Sequence, residues 1–275
     1  MNPIADGLRA LGLKAGDHVL ARASLRRLGG PRATRAEALI AAILDVVGPE
    51  GTLAALAFHP MVPFPGWRKL APVDATTRPS SGWLAAALAA RPDARRSAHP
   101  ACGWAAVGAG AERLVAGHDA EAACFHPIAA LLDMDGVLIN VGNVADSPGF
   151  STVHHVQAQL GLSTRNLLAG RMGLRTPDGI FVCRDFPGCS KGFGKFYGAY
   201  VAAGILRAGM VGDAYSILAR ARDLVAVERP LIEADPRYPL CDHPLCQHCR
   251  GLVTYNKRDW PGYWLRRVFR RGRRK

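Results

Sequence analysis

The stretch DHVLARASLRRLGGPRATRAEALIAAILDVVGPEGTLAALAF, residues 17–58, sets the fold. Its first part, DHVLARAS, predicts a strand, and EALIAAILDVV predicts a helix that ends at the turn GPEG. The nearly continuous apolar run of TLAALAF then predicts a second, buried strand. Strands that alternate with helices in this way indicate a sheet covered by helices on both faces.

The alternation continues through the body of the chain. WAAVG, GVLINVG and GIFVCRDF predict further strands, whereas the proline-rich residues 60–80 predict an irregular loop. The fold class that we expect is therefore α/β. Further helices are expected over residues 4–12, in SGWLAAALAARP with Ser80 or Ser81 as its cap, in AERLVAG, in PIAALLDM, and over residues 191–203 and 213–233.

The composition is that of one large domain, since 275 residues at 49% hydrophobic can bury a sizeable core. No apolar run approaches the roughly 18–20 residues that cross a membrane. Lys14, Asp17 and His18 interrupt the N-terminal segment where a secretory signal needs an apolar stretch, so we expect a cytoplasmic protein. Seven cysteines, an odd number, favour thiols or metal ligands over a framework of disulfides.

Polar residues follow or precede predicted strands at three places. These are ARASLRRLGG (21–30), RRSAHPACG (95–103) and NVGNVADSPGFSTVHH (140–155). Functional sites of α/β folds gather in the loops at strand ends. The sequence therefore predicts that the site is built from these three junctions.

Six segments in this order resemble the aminoglycoside 3-N-acetyltransferase family. They are GDHVLARASLRRLGG (16–30), VVGPEGTLAAL (46–56), VDATTRPSSGWL (73–84), RRSAHPACGWAAVG (95–108), DGVLINVG (135–142) and STVHHVQ (151–157). The resemblance implies an α/β fold with a mixed central sheet flanked by helices. It also implies acyl transfer from acetyl-CoA, or a related acyl thioester, to an amine.

The turn ASLRRLGG suits a pyrophosphate, because a polar turn at a strand end offers backbone N–H groups and arginine side chains lie close by. In the family this turn contacts CoA, so the resemblance implies acetyl-CoA or another acyl-CoA as cofactor. Arg22 stands where the family usually has histidine. In RRSAHP the polar side chains either contact ligand or brace the site, and both remain open. The candidate cofactor-binding residues are Ser24, Leu25, Arg26, Arg27, Arg96 and Ser97.

The segment STVHHVQ holds the candidate catalytic residues Thr152, His154 and Gln157. Ser151 or Thr152 is a natural N-cap, which leaves His154 in the first helical turn, where the helix dipole disfavours imidazolium. A general base for an amine must be a neutral imidazole. His155 lies about 100° further round the helix and is expected to be a solvated or supporting polar residue.

The family pattern at this place is Thr-x-Leu-His-x-x-Glu, and residues three apart share a helix face. Here Gln157 replaces the glutamate. An amide can hold the imidazole tautomer, but it supplies no counter-charge to the protonated ring. Three outcomes are open: another acid such as Asp146 or Asp185 takes the role, the substrate needs only a weaker base, or the usual acetyl transfer is lost.

The segment CDHPLCQHC, residues 241–249, concentrates thiols and imidazoles that suit zinc. The candidate metal ligands are Cys241, His243, Cys246 and Cys249. Nine residues are a tight span for all four ligands of a closed site, so Cys183 or Cys189 could supply one of them. A structural zinc is the first interpretation, and free thiols or a catalytic or redox role are the alternatives.

The C-terminal end is basic and aromatic. Nine Lys or Arg residues against Asp259 give residues 257–275 a net charge of +8 out of the total of +13. The tail either packs its aromatic side chains back on the domain or binds an anionic partner, such as an acyl carrier protein, a membrane surface or nucleic acid. We expect an acyltransferase domain over 1–240, a Cys/His-rich segment over 241–256 and this tail.

The function expected is an N-acyltransferase that acts on an amine of a small molecule, with His154 as general base. The segment 57–80 carries Asp74 against Arg68, Lys69 and Arg78. A polycationic acceptor calls for an acidic pocket, so a neutral or anionic acceptor and a biosynthetic role are expected. The alternatives are a transacylase, amidase or deacylase on the same scaffold, with or without a metal, and a binding module that uses the basic tail.

Overall fold

The structure, a computed structural model, describes residues 2–165, 170–252 and 260–272. Its strands are β1 (His18–Ala23), β2 (Thr52–Leu56), β3 (Val62–Pro63), β4 (Arg95–Arg96), β5 (Trp104–Gly108), β6 (Val137–Val141), β7 (Met172–Thr176), β8 (Gly179–Cys183), β9 (Arg207–Val211) and β10 (Ala214–Arg220). Its α-helices are α1 (Pro3–Ala10), α2 (Arg35–Val47), α3 (Trp83–Ala89), α4 (Ala111–Val115), α5 (Pro127–Asp133), α6 (Thr152–Gln159), α7 (Tyr197–Ala202), α8 (Ala221–Ala234) and α9 (Trp260–Gly272). None of the helices in these ranges is long and apolar enough to cross a membrane.

Seven strands of the described ranges form the central sheet, in the order β4-β5-β2-β1-β6-β10-β9. At its centre β2, β1 and β6 run parallel, while β5 joins β2 and β10 joins β6 in the antiparallel sense. The sheet is therefore mixed, as the resemblance implies. A separate three-stranded sheet has the order β3-β7-β8.

Helices cover both faces of the central sheet, which confirms the α/β prediction. Side chains of a strand point alternately to the two faces, and β1 shows this clearly. Val19 and Ala21 join the core under α1, α2 and α3, whereas Leu20 joins the core under α4, α5, α6, α7 and α8. The strands with continuous apolar sequences are thus buried on both faces, because alternate side chains pack into two separate cores.

The three polar junctions meet at one edge of the sheet. β1 and β6 are in parallel register up to the pair Ala23 and Val141, so the segments after both strands begin at the same edge. β2 ends there too, and its last residue Leu56 pairs with Trp104, the first residue of the antiparallel β5. The segment before β5 therefore reaches the same edge, where α/β folds place their ligands.

The prediction of a helix over 213–233 is wrong in its first part. Ala214–Arg220 is the strand β10, which pairs with β6 on one side and β9 on the other, and α8 begins only at Ala221. Over so short a run, AYSILAR fits either a strand or a helix. Pairing with β6 and β9 satisfies the backbone hydrogen-bonding groups of this segment. These long-range contacts therefore favour the strand over the helix.

Residues 60–80 hold more regular structure than their prolines indicate. The short strand β3 pairs with β7, and a 3-10 turn spans Gly66–Lys69. The N-cap of α3 is Gly82 rather than Ser80 or Ser81. Both serine hydroxyls instead donate to backbone carbonyls around the end of β2, so this segment is tied to the edge that carries the site.

One pair of cysteines departs from the expectation of thiols. Cys102 and Cys124 form a disulfide within the core that lies under α4 and α5. The remaining five cysteines of the chain are free thiols. Four of these five lie together in space, as described below, and the fifth is Cys183.

Candidate active site

A cavity of about 1160 Å³ opens beside the turn that follows β1. The turn is a single 3-10 turn, Leu25–Arg27, and its start is fixed because the Ser24 N–H donates to the Val141 carbonyl at 2.8 Å. Arg35 donates through Nε to the carbonyls of the glycine pair 29–30 at 2.9 and 3.0 Å. These bonds give the cavity a defined wall, to which the predicted residues Ser24, Leu25 and Arg26 contribute.

Positive charge is concentrated in this cavity. Among the described residues, four arginines and one carboxylate, Glu37, line it, and the arginines are Arg26, Arg35, Arg78 and Arg96. The guanidinium of Arg78 lies 4.3 Å from the ring centre of Trp83, whose side chain is 65% exposed. Guanidinium groups bind phosphate oxygens, and an exposed indole face stacks on aromatic bases. The cavity suits a ligand that combines phosphates with an aromatic ring.

Arg96 lines the cavity as the sequence predicts. Its guanidinium donates to the carbonyls of Ala75 and Thr77, and Nη2 lies 3.5 Å from Nε2 of His59. Burial lowers the pKa of Arg96, and burial followed by the charge of Arg96 lowers the pKa of His59. Arg96 is therefore held in place by the segment after β2 while its charge faces the cavity wall.

Ser97 does not line the cavity, although the sequence places it with the cofactor-binding residues. Its Oγ accepts the Trp104 N–H at 2.8 Å and lies 3.0 Å from Nδ1 of His118. Next to it, Nδ1 of His99 accepts two backbone N–H groups, those of residues 101 and 102. Burial lowers the pKa of His99 to about 4 and that of His118 to about 3. Of the two roles left open for RRSAHP, Ser97 takes the bracing one.

Arg27 also lies away from the cavity lining. Its Nη1 donates to the Gly142 carbonyl at 2.8 Å, and its Nη2 lies 3.1 Å from the carboxylate of Asp146. Both partners belong to the loop that follows β6. Arg27 therefore joins the segment after β1 to the loop after β6, and its predicted role in cofactor binding stays a prediction.

The imidazole of His154 lies between two aromatic rings. Its centre is 4.6 Å from that of Phe125, which stacks on it, and 4.6 Å from that of Phe193, which meets it edge-on. Nδ1 lies 3.1 Å from Oε1 of Gln157. Because an amide oxygen only accepts hydrogen bonds, Nδ1 carries the proton and Nε2 keeps its lone pair. Nε2 is thus the nitrogen that can take a proton from a substrate.

The electrostatic surroundings keep His154 uncharged. Burial lowers its pKa to about 3, the hydrogen bond that Nδ1–H donates to Gln157 acts in the opposite direction, and the charge of Arg22 lowers the pKa further. The guanidinium of Arg22 is itself buried and donates to the Gly149 carbonyl at 3.2 Å. The sequence argument assigned the neutral imidazole to the helix dipole, whereas burial is its main cause.

Asp146 and Asp185, the two acids named from the sequence, have partners other than His154. Asp146 pairs with Arg27, and Asp185 accepts the backbone N–H of Cys124 at 3.0 Å. Within the part of the chain that the structure describes, the hydrogen-bond partner of the imidazole is an amide and the charge that shifts its pKa is the cation Arg22. Among the described residues, no carboxylate hydrogen-bonds to His154 in place of the glutamate that the family pattern has at position 157.

Thr152, predicted as catalytic, makes its side-chain hydrogen bond to a buried carboxyl group of the protein. The N-cap of α6 is Ser151, which makes no side-chain cap bond. The Thr152 hydroxyl donates to Oε1 of Glu228 at 2.6 Å, and the Tyr200 hydroxyl donates to the same oxygen at 2.6 Å. These bonds join α6, α7 and α8 through one buried carboxyl group.

Sequence reasoning missed Glu228. Burial raises its pKa to about 8, so the group is protonated at pH 7. The signal was available, because Glu228 lies one helical turn from both Leu224 and Ile232 on the buried stripe of α8. An acid on an apolar stripe indicates a buried, hydrogen-bonded carboxyl group.

His155 is buried rather than solvated. Its side chain is 6% exposed, and its Nε2 finds no hydrogen-bond partner among the described residues. Burial lowers the pKa of this imidazole, as it does for His154. Of the two alternatives expected for His155, the solvated one is therefore wrong, and a supporting role stays a prediction.

Three of the four predicted metal ligands meet, and a different residue completes the group. The four sulfur atoms that lie within 4.8 Å of one another belong to Cys189, Cys241, Cys246 and Cys249. His243 does not join them, because its Nδ1 accepts the Leu245 N–H at 3.2 Å. Cys183 lies apart from the group, with its sulfur 3.7 Å from that of Cys124.

The basic tail is described only as the helix α9, since 253–259 and 273–275 lie outside the described residues. Tyr263 is fully buried, so one aromatic side chain packs back on the protein. Trp264, Leu265, Val268 and Phe269 are exposed. The anionic partner expected for the tail stays a prediction.

The arginine-lined cavity and the buried neutral imidazole of His154 are thus built from segments that follow β1, β2 and β6 at one edge of the sheet. The cavity is suited to an anionic cofactor, and the neutral imidazole is suited to accept a proton from a nucleophile. An acyltransferase needs both. A model of the family "Aminoglycoside 3-N-acetyltransferase" matches residues 20–233. The chain belongs to this family and is an enzyme of the N-acetyltransferase type.

Individual relatives agree with the family assignment. Aminoglycoside N(3)-acetyltransferase VII of Streptomyces paromomycinus is 31% identical, over 81% of this chain and 87% of the relative. Aminoglycoside N(3)-acetyltransferase III of a Salmonella species is 28% identical over the same shares. A solved structure of AAC-IIIb, binary with CoASH, is 27% identical and superposes with a TM-score of 0.67 over 84% of this chain and 95% of its own.

Proposed function

We propose that this chain is an N-acyltransferase that moves an acyl group, in the simplest case acetyl, from CoA to an amine of a small molecule. The observation that carries the proposal is the arginine-lined cavity at the sheet edge that also bears His154. The AAC-IIIb structure with CoASH supports CoA as the cofactor. The hydrogen bond between His154 and Gln157 supports a role for the imidazole in proton transfer.

The cavity matches the parts of CoA. The phosphates would bind the guanidinium groups of Arg26, Arg78 and Arg96, which line the cavity. The adenine ring would stack on the exposed face of Trp83. The pantetheine arm is long and uncharged, and the alanine side of α3, with Ala86 among its lining residues, offers it an apolar wall.

The reaction follows from the tautomer of His154. The amine nitrogen attacks the thioester carbonyl carbon, which forms the C–N bond and places a positive charge on the nitrogen. Nε2 of His154 takes the proton, while Gln157 holds Nδ1–H and fixes the ring. The C–S bond then breaks, and the CoA thiolate receives the proton from the imidazolium.

Such a base is weak, because burial and Arg22 both disfavour the imidazolium. A weak base is sufficient when attack precedes proton transfer, since the nitrogen becomes strongly acidic only after the C–N bond forms. The acceptor must then reach the site as a neutral amine. Of the three outcomes left open by Gln157, we favour the one in which the substrate needs only a weak base.

The acceptor that we propose is a neutral or anionic amine, in keeping with a biosynthetic role. The single acid of the segment 57–80 is Asp74, and one of its oxygens already accepts four hydrogen bonds from the backbone and hydroxyls of Thr76 and Thr77. These bonds, the Thr76 hydroxyl first, lower the pKa of Asp74 to about 2. Arg68 stands in the same segment, over the rings of Phe64 and Trp67.

Two measurements test this proposal. Calorimetry with acetyl-CoA should show binding to one site per chain, and the absence of binding to the folded protein would overturn the choice of cofactor. Thiol release should then be followed with acetyl-CoA and a panel of neutral, anionic and polycationic amines. A clear preference for an aminoglycoside would overturn the proposed acceptor class, and equal thiol release without any amine would favour a hydrolase.

A further inference from the structure

Beyond this function, we propose that Cys189, Cys241, Cys246 and Cys249 bind a structural zinc ion, which anchors the C-terminal segment behind Gln157. The four sulfur atoms already lie within 4.8 Å of one another. A tetrahedral zinc with Zn–S bonds of about 2.3 Å places its sulfurs about 3.8 Å apart. The observed group therefore needs only a small contraction to form the complete shell.

The local backbone supports the sulfur atoms as metal ligands. The Cys241 N–H points to Sγ of Cys249 at 3.4 Å, and the Lys191 N–H points to Sγ of Cys189 at 3.4 Å. Hydrogen bonds of this kind orient thiolate ligands and stabilise their charge. Cys246 and Cys249 form a Cys-x-x-Cys unit in which Cys246 directly precedes a turn of π-helix, Gln247–Leu252, and Cys249 lies within it.

The charges around the group also fit. Four thiolates with Zn²⁺ carry a net charge of −2, which calls for cations nearby. Arg250 donates to the Cys241 carbonyl at 3.0 Å, and Lys195 lies 2.7 Å from the carboxylate of Asp242, next to the cluster. Arg250 thus places one cation beside the cluster, although it also lies 4.0 Å from the carboxylate of Asp242, with which Lys195 pairs.

The ligand set distinguishes a structural site from a catalytic one. Catalytic zinc keeps one position open for water or substrate, whereas four protein sulfurs close the shell. Tetrahedral sulfur ligands select zinc or iron over magnesium and calcium. The metal-assisted hydrolysis considered from the sequence is therefore not the role of this cluster.

The position of the four cysteines indicates what a bound zinc ion would do for the structure. Cys189 comes from the loop after β8, and the other three ligands come from the C-terminal segment, so a metal would join two distant parts of the chain. A cavity of about 20 Å³, lined by Gln157, Cys189 and Cys249 among others, separates the cluster from the active-site helix. On the same wall, the ring of His248 stacks on Phe186 with centres 5.4 Å apart. Zinc would thus fix the wall behind Gln157.

Metal analysis of the purified full-length protein tests this site directly. We expect one zinc per chain and, after exchange with Co²⁺, the intense visible absorption of a tetrahedral cobalt thiolate. Protein without zinc that shows no such absorption after Co²⁺ addition would overturn the proposal. Iron in place of zinc would overturn the choice of metal.

Variants separate this ligand set from the one expected from sequence. Cys189→Ser should lose the zinc, whereas His243→Ala and Cys183→Ser should retain it. Loss of zinc in His243→Ala with retention in Cys189→Ser would contradict the proposed ligands. If Cys189→Ser does not fold, Cys189→His tests the same position, because imidazole binds zinc and should restore both folding and metal content. Metal content is read without CoA or an acceptor, so its failure is distinct from failure of the acyltransferase proposal.

Discussion

The cavity contains several charged side chains, whereas the surroundings of His154 favour uncharged groups. The cavity gathers Arg26, Arg35, Arg78 and Arg96 in a space open to a large ligand. The imidazole of His154 instead lies between Phe125 and Phe193, where burial keeps it neutral. On the same side of the sheet, Glu228 is buried and protonated at pH 7. In the proposed reaction the first region would bind the cofactor through charge, and the second would hold an uncharged imidazole that accepts a proton.

This difference explains why a single edge of the sheet serves both tasks. Residues 24–26, directly after β1, line the cavity, while Arg22 within β1 is buried and lowers the pKa of His154. Substitutions in the cavity should therefore change cofactor affinity, and substitutions near the imidazole should change turnover and its pH dependence. The two sets of effects should be separable.

The largest effect expected is that of His154→Ala. General-base catalysis contributes roughly 10²- to 10⁴-fold, so kcat should fall by that factor while the Kd of acetyl-CoA stays within about twofold. Steady-state kinetics and calorimetry measure the two quantities. A fall in kcat of less than about fivefold in a folded variant would mean that the imidazole does not move the proton.

Arg26→Ala tests the other region. A hydrogen bond to a charged group is worth about 1.5–3 kcal/mol, so the Kd of acetyl-CoA should rise roughly 10- to 100-fold and its salt dependence should weaken. Arg184→Ala is the matched control, since Arg184 is exposed and pairs with Glu121 on the surface. An effect as large in the control as in Arg26→Ala would mean that the cavity does not bind by local charge.

Acid stability tests the suppression of charge. The folded-state pKa is about 4 for His99 and about 3 for His118 and His154, below the value of 6.5 that we take for the unfolded chain. The unfolded state then binds more protons between these values, so stability is lost as the pH falls below 6.5. At pH 5 the loss is on the order of 2 kcal/mol for each histidine. Denaturant unfolding from pH 7.5 to 4.5 measures it, and an unchanged midpoint would contradict buried neutral histidines.

Glu228→Gln is expected to have the smallest effect. The folded-state pKa of Glu228 is raised to about 8, so its contribution to stability is present below about 4.5 and is lost as the pH rises through 8. At pH 6 the amide is isosteric with the protonated acid and can still accept from Thr152 and Tyr200, so the loss should be below about 1 kcal/mol. Urea unfolding measures it, and a loss above about 3 kcal/mol would indicate an ionised carboxylate.

The fold class and several of the residues that line the cavity could be predicted from the sequence. Alternating apolar runs identified β1, β2, β5, β6 and β8 because these strands are buried or bounded by clear turns. It could not identify β10, because its choice between strand and helix depends on β6 and β9, which are remote in sequence. The cofactor residues divided by their contacts: Ser24, Leu25, Arg26 and Arg96 line the cavity, whereas Arg27 and Ser97 bond to other protein groups.

Assigning roles to the residues of the candidate site also depends on contacts between residues that are remote in sequence. His154 and Gln157 were found because their contact lies within one helix turn. Cys189 could be named only as an alternative, since its neighbours in space come more than fifty positions later in the chain. The hydrogen-bond partner of Thr152 is Glu228 on α8, which is remote in sequence, so the sequence alone favoured a helix cap for this hydroxyl.

The central claim is that Gln157 positions His154 without supplying a counter-charge. It is tested most directly by the pH dependence of kcat/KM for acetyl transfer in the wild type and in Gln157→Glu. For the wild type we expect no ionisation of the enzyme's base between pH 5 and 8, so that the profile follows deprotonation of the acceptor amine. In Gln157→Glu the added carboxylate should raise the pKa of His154, introduce an acidic limb and increase the rate at pH 7.5. Identical profiles and rates in the two proteins would contradict the claim.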